Sequence, residues 1–119
     1  MEQTPTQFLE TMQSGIEDYS KADPETMERF MNLNENALKP GALDTKTKTL
    51  MCVAIALATS AECCIAGRTA AAIQEGATRD EILEIASVAL LMGGSLCAGP
   101  IATQLVGVLN ELLPAEGGK

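Results

Sequence analysis

The 119-residue chain contains no histidine and no tryptophan, and its three aromatic residues, Phe8, Tyr19 and Phe30, all fall in the first thirty positions. Without histidine the usual general base is missing, which excludes serine-hydrolase chemistry. It also limits metal binding to cysteines and carboxylates. The cysteines at 52, 63, 64 and 97 do not form the Cys-x-x-Cys pairs of structural zinc, so no metal and no cofactor is expected. Few aromatics mean that the core must be built from Ala, Leu, Ile, Val and Met, with the methionines Met27, Met31, Met51 and Met92 filling its irregular gaps. Basic residues are also few and scattered, 8 against 16 acidic ones for a net charge of −8, which excludes a nucleic-acid partner.

Two further absences concern membranes and strands. Met1-Glu2-Gln3-Thr4-Pro5 is not a basic region leading into an apolar one, so no secretory signal is expected and the cysteines read as cytoplasmic thiols. The longest uncharged run lies between Glu84 and Glu111. Gly93-Gly94-Ser95 and Gly99-Pro100 divide it into pieces shorter than the roughly 20 residues of a spanning helix. The expectation is two helices buried on nearly all sides, with neighbouring subunits supplying part of the cover. No alternating strand pattern occurs, and the β-branched residues lie in helical stripes. The predicted class is all-α.

What is present is a series of helix signals. Thr4-Pro5 starts a helix with Phe8, Met12, Ile16 and Tyr19 on one face, and Asp23-Pro24-Glu25 starts a second that carries Met27, Phe30, Met31 and Leu38. Lys39-Pro40-Gly41 ends it. Asp44 caps a third, apolar from Leu50 to Ala58, and Ser60 is expected to cap a fourth that stops at Gly76. Thr78 and Glu81 form a capping box for a fifth, ending near Met92, and a sixth is expected from near Pro100 to Leu113. The acids Asp80, Glu81 and Glu84 suit the start of that fifth helix rather than acid–base work. Gly93-Gly94-Ser95, with no strand before it, reads as a tight connection and not a phosphate loop. The length fits one domain spanning 1–119, with one core.

The segment carrying chemistry is Ser60-Ala61-Glu62-Cys63-Cys64-Ile65-Ala66-Gly67-Arg68. Cys64 stands in the first turns of a helix with Arg68 at i+4, and the dipole and the guanidinium both favour its thiolate, while Glu62 opposes them. A buried cysteine acting as a small apolar residue is the alternative. Cys63 is a weaker candidate, because adjacent helical side chains diverge by about 100°. Cys52 and Cys97 are more credible distant partners for Cys64.

Pro40-Gly41-x-Leu43-Asp44-x-Lys46-Thr47-Lys48-x-Leu50-Met51, Cys64-Ile65, Glu75-Gly76-Ala77-Thr78-Arg79-Asp80-Glu81-Ile82-x-Glu84 and Gly93-Gly94-Ser95 resemble the carboxymuconolactone decarboxylase family in its alkylhydroperoxidase D-like branch. The resemblance spans about residues 38–113. It implies a compact bundle of about six helices, with a family core at 44–113 and two added helices in 1–38. It also implies homo-oligomers, commonly hexamers built as trimers of dimers, and a small-molecule substrate or thiol reductant as partner. The redox branch uses a glutamate, a Cys-x-x-Cys pair and a histidine. Matched position by position, these fall on Thr49, Ala61, Cys64 and Arg68, so only Cys64 is kept. The resemblance thus implies a thiol peroxidase-type oxidoreductase reduced to Cys64, with Arg68 stabilising its thiolate. The alternatives are a non-catalytic oligomeric or small-molecule-binding member, and a lactone-decarboxylase-type lyase.

Overall fold

Helix capping chemistry sets most of the element starts in the computed structural model, which describes residues 3–115. In α1 (Pro5–Ala22) the Thr4 hydroxyl accepts the Gln7 N–H and the Gln7 side chain accepts the Thr4 N–H, a reciprocal capping box. In α2 (Pro24–Leu38) the Asp23 carboxylate accepts from Thr26 N–H. Both helices place proline at the first position, where an N–H would have no partner within the helix. Lys39 is extended, as the residue before Pro40 should be.

α3 (Thr45–Ala58) starts on Asp44, whose carboxylate accepts from Thr47 N–H at 2.7 Å. α4 (Glu62–Gln74) follows, and then α5 (Arg79–Gly93) behind the expected Thr78–Glu81 capping box. At Gly94 the backbone takes φ +64°, a left-handed value that favours glycine, and turns into α6 (Ser95–Pro100). All described elements are helical, and the fold is all-α.

The last third of the chain departs from expectation. Gly99-Pro100 does not separate two helices: α6 begins at Ser95 and holds Pro100 inside, a π-helical turn follows over Ile101–Leu105, and α7 (Val106–Leu112) continues from it. Pro100 has no N–H for the carbonyl of Leu96, and its ring crowds that carbonyl. The helix absorbs the misfit by widening rather than breaking. With α6, the π turn and α7 forming one rod, the fold has six helical bodies, and Cys97 lies inside a helix instead of between two breaks.

The core is one cluster centred on α3, which packs chiefly against α4 and α5. Val53, Ala56 and Leu57 of α3 meet Ile65 and Ala72 of α4, Ile82, Ala86 and Ala89 of α5, and Leu105 and Leu109 of the last rod. Small side chains allow this close approach. A Cβ on Gly93 would lie 3.1 Å from Cys97 Cβ and 3.2 Å from Ala58 Cα, so glycine lets α3, α5 and α6 converge.

One burial expectation is corrected, and the outer cover expected for the run after Glu84 is not supplied by the described residues of the single chain. Met31, Met51 and Met92 do not fill the core, being 50%, 48% and 78% exposed. The run after Glu84 is buried on one side only, with Val88, Leu91 and Leu96 at 55%, 80% and 77%. The outer faces of α3, α5 and α6 receive no cover from the described residues. α1 and α2 bury no residue fully, and their stripes leave Ile16, Tyr19, Phe30 and Leu33 exposed. No helix among the described residues is long and apolar enough to cross a membrane.

Candidate functional site

The approach to the cysteines is shaped by a helix ending used twice. At the end of α4, Gly76 N–H donates to Ile73 O and Ala77 N–H to Ala72 O, with Gly76 at φ +94°. This is the paired 5→2 and 6→1 bonding of a Schellman stop. At the end of α3 the same two bonds run from Ser60 N–H to Leu57 O and from Ala61 N–H to Ala56 O, and Ser60 takes φ +55°. Ser60 therefore ends α3 and does not cap α4. α4 starts on Ala61 without a side-chain cap. A non-glycine residue in this region carries strain of about 1–2 kcal/mol, held here directly before the cysteine pair.

Cys63 and Cys64 then occupy the second and third positions of α4, both exposed. Cys64 N–H donates to Ala61 O at 2.9 Å. All four cysteines are free, so neither Cys52 nor Cys97 is bonded to Cys64. Cys97 is fully buried and burial pushes its thiol pKa up, which keeps it protonated and unreactive. Cys52 is half-buried on α3. Arg68, one turn beyond Cys64, is half-buried and forms no ion pair among the described residues, whereas Arg29 pairs with Glu25 and Lys46 with Glu81.

Thr49 and Ala61, which the resemblance matches to relay positions, have structural roles here. Thr49 is 1% exposed and its hydroxyl donates to Thr45 O at 2.8 Å, so the place of the upstream acid is now a core residue bonded within its own helix. Ala61 is half-buried and caps α4 through backbone alone. No group of three or more metal-ligating side chains comes together among the described residues.

A groove of about 430 Å³ lies against α4, walled by Pro5 and Phe8 of α1, Glu62 and Ala66 of α4, and Thr103, Gln104, Gly107 and Val108 of the last rod. Neither cysteine of the pair lines it. Glu62 and Ala66 are one turn apart on one face, and Cys64 points about 200° around the helix from Glu62. Sequence reasoning missed this groove. Its only signal was Pro100, whose effect on the helix places Thr103 and Gln104 in a π turn.

Comparison with known proteins agrees with this architecture. The profile of the carboxymuconolactone decarboxylase family matches residues 24–111, and the chain belongs to that family. The match begins at Pro24, so α2 belongs to the family pattern as well. A crystal structure of a carboxymuconolactone decarboxylase family protein from Legionella pneumophila superimposes with a TM-score of 0.82 at 32% identity, covering 87% of this chain and 93% of that one. A Thermotoga maritima family member described as "possibly involved in antioxidative response" gives 0.76 at 35% identity, covering 89% of each chain. An uncharacterized protein of the cox locus of Paracoccus denitrificans is 33% identical over 99 residues, which is 83% of this chain and 88% of its own length.

Proposed function

We propose that the protein is a thiol-dependent, peroxidase-type oxidoreductase that works through a single cysteine, Cys64. The observation that carries this reading is the exposure of Cys64 in the first turn of α4, four residues after the strained Ser60 and one turn before an Arg68 with no carboxylate partner among the described residues. Strained backbone of this kind concentrates at functional sites. The description of the Thermotoga maritima relative points the same way.

The chemistry follows from one exposed thiol without a resolving partner. Cys64 thiolate attacks the terminal oxygen of a hydroperoxide, the O–O bond breaks, and the alkoxide leaves as an alcohol after taking a proton from water. Sulfur is oxidised by two electrons to a sulfenic acid. A low-molecular-weight thiol then condenses with it, releasing water and leaving a mixed disulfide. A second thiol attacks that disulfide, restoring Cys64 and releasing the oxidised reductant. Arg68, one turn further along α4, contributes a positive charge toward the departing alkoxide.

The same reading includes a homo-oligomer. A folded monomer of this mass is expected to expose about 6,200 Å², whereas the chain exposes 7698 Å². The uncovered apolar residues Val88, Leu91, Met92 and Leu96 account for part of the excess, and burying it against a second copy gives, over both subunits, an interface of about 3,000 Å², in the range of obligate homodimers.

The test is hydroperoxide consumption in the presence of a small thiol. Cys64→Ser abolishes it, Arg68→Ala slows it, and Cys63→Ser retains it. Equal consumption by Cys64→Ser and the unchanged protein overturns the reading. Complete inertness of the unchanged protein favours the non-catalytic scaffold, for which the core position of Thr49 speaks.

A further inference from the structure

The groove beside α4 has a composition that selects its occupant. Its floor and sides are apolar where Pro5, Phe8, Ala66 and Val108 meet, and its volume of about 430 Å³ lies in the range of small-molecule sites. Its polar lining consists of Gln3, Glu62, Thr103 and Gln104, and among these described residues Glu62 alone is charged. Glu62 contributes a carboxylate that forms no ion pair among the described residues. Gln3 donates one amide N–H to Thr11 Oγ1 at 2.7 Å, and its carbonyl oxygen is available as an acceptor. Thr103 donates its hydroxyl to Gly99 O at 2.7 Å and keeps only lone pairs for a ligand.

The wall is also fixed in place. Thr6 N–H donates to the Glu111 carboxylate at 2.7 Å and the Thr6 hydroxyl donates to the same oxygen. This ties the first turn of α1 to α7 and holds Pro5 and Phe8 across the groove. The π turn sets Thr103 and Gln104 on the opposite side. π turns inside helices often coincide with functional sites.

We propose that this groove binds a small organic ammonium ion: a primary or secondary amine, protonated at neutral pH, carrying a compact aryl or alkyl body. The ammonium meets the Glu62 carboxylate and the oxygens of Gln3 and Thr103. The body packs on Phe8, Ala66 and Val108, and the ring of Phe8 adds cation–π attraction. An anionic ligand is repelled by Glu62 and meets only the neutral amide donors of Gln3 and Gln104. The site faces away from Cys64 and is independent of the thiol chemistry proposed above.

The experiment titrates the full-length protein with three ligands of one shape, 2-phenylethylammonium, 2-phenylethanol and phenylacetate, followed by calorimetry and by the amide shifts of Thr103, Gln104 and Gly107. The ammonium binds saturably, the alcohol about tenfold more weakly, as loss of one charge-assisted hydrogen bond implies, and phenylacetate more weakly still. Glu62→Gln reduces the ammonium to the level of the alcohol. Gly107→Leu removes binding of both. A Cβ at Gly107 meets nothing within 4 Å, and leucine is a better helix residue than glycine, so this variant folds while filling the groove. Its Cys64 alkylation rate is unchanged, which separates the groove from the thiol site. Alcohol binding as tight as ammonium binding, indifference to Glu62→Gln, or binding that survives Gly107→Leu overturns the proposal.

Discussion

The hydroxyl of Ser60 donates to the carbonyl of Leu96 at 3.3 Å, the carbonyl that Pro100, four residues on, has no N–H to serve. One side chain thus joins the strained end of α3 to the widened helix that walls the groove. It also explains why serine stands where the equivalent ending of α4 has glycine. Ser60→Ala keeps the left-handed strain and loses the bond, and is expected to destabilise by about 1 kcal/mol. Ser60→Gly loses the bond but relieves the strain, and is expected to fall within about 0.5 kcal/mol of the unchanged protein. Denaturant midpoints measure both. Equal midpoints for Ser60→Ala and the unchanged protein show that the bond contributes nothing.

Gly93 and Gly107 are predicted to respond oppositely to alanine. At Gly93 the new methyl meets Ala58 Cα at 3.2 Å and Ala58 O at 3.3 Å, backbone atoms that cannot swing aside. Gly93→Ala should therefore destabilise by about 1–3 kcal/mol. At Gly107 the space is open, and Gly107→Ala should stabilise by about 0.5–1 kcal/mol through helix propensity. Thermal melts of the two variants check the sign of each.

Most of the fold could be read from the sequence because its helix starts are written in local chemistry. Asp23-Pro24, Asp44 and Thr78–Glu81 each satisfy free amides with a side chain a few residues away, and each start fell as expected. The misreadings came where distant parts decide. Ser60 is not the cap that serine usually provides, because the partner of its hydroxyl lies thirty-six positions on, at Leu96. Pro100 was read as a break because a π turn needs neighbours to hold it. Met92 is 78% exposed rather than in the core, because the sequence does not say which faces the chain leaves bare. The place of Cys64 in the first turn of α4 could be read from the sequence, but the groove could not, since it joins α1, α4, the π turn and α7 from distant segments.

The capping acids set the pH response. Asp44 is held below the usual carboxylate range by Thr47, through its hydroxyl and its N–H, and Asp23 likewise by Thr26. Glu81 is lowered by the Thr78 N–H and then by Lys46. A carboxylate whose folded pKa lies below its unfolded value stabilises the fold above the unfolded value, near 4, and that contribution is lost as pH falls through the folded value. The melting temperature should hold from neutral pH down to about 5 and fall below about 4. Asp44→Asn should flatten part of that fall. An unchanged melting temperature down to about pH 3 would contradict the assignment.

Leu91 and Met92, 80% and 78% exposed in the single chain, are expected to be covered in solution by another copy. Light scattering of the unchanged protein at micromolar concentration should give a multiple of the chain mass, and Leu91→Asp should shift it toward the monomer. A monomeric mass for the unchanged protein removes the proposed interface.

The central claim is that Cys64 is the reacting sulfur, and mass-spectrometric mapping of sulfenic acid tests it most directly. The protein is exposed to a small excess of hydroperoxide with a sulfenic-acid trap present, then digested and each cysteine peptide quantified. The account predicts the trap on Cys64 first, with buried Cys97 unlabelled. Labelling that falls on Cys63 or Cys52 while Cys64 stays unmodified would contradict it.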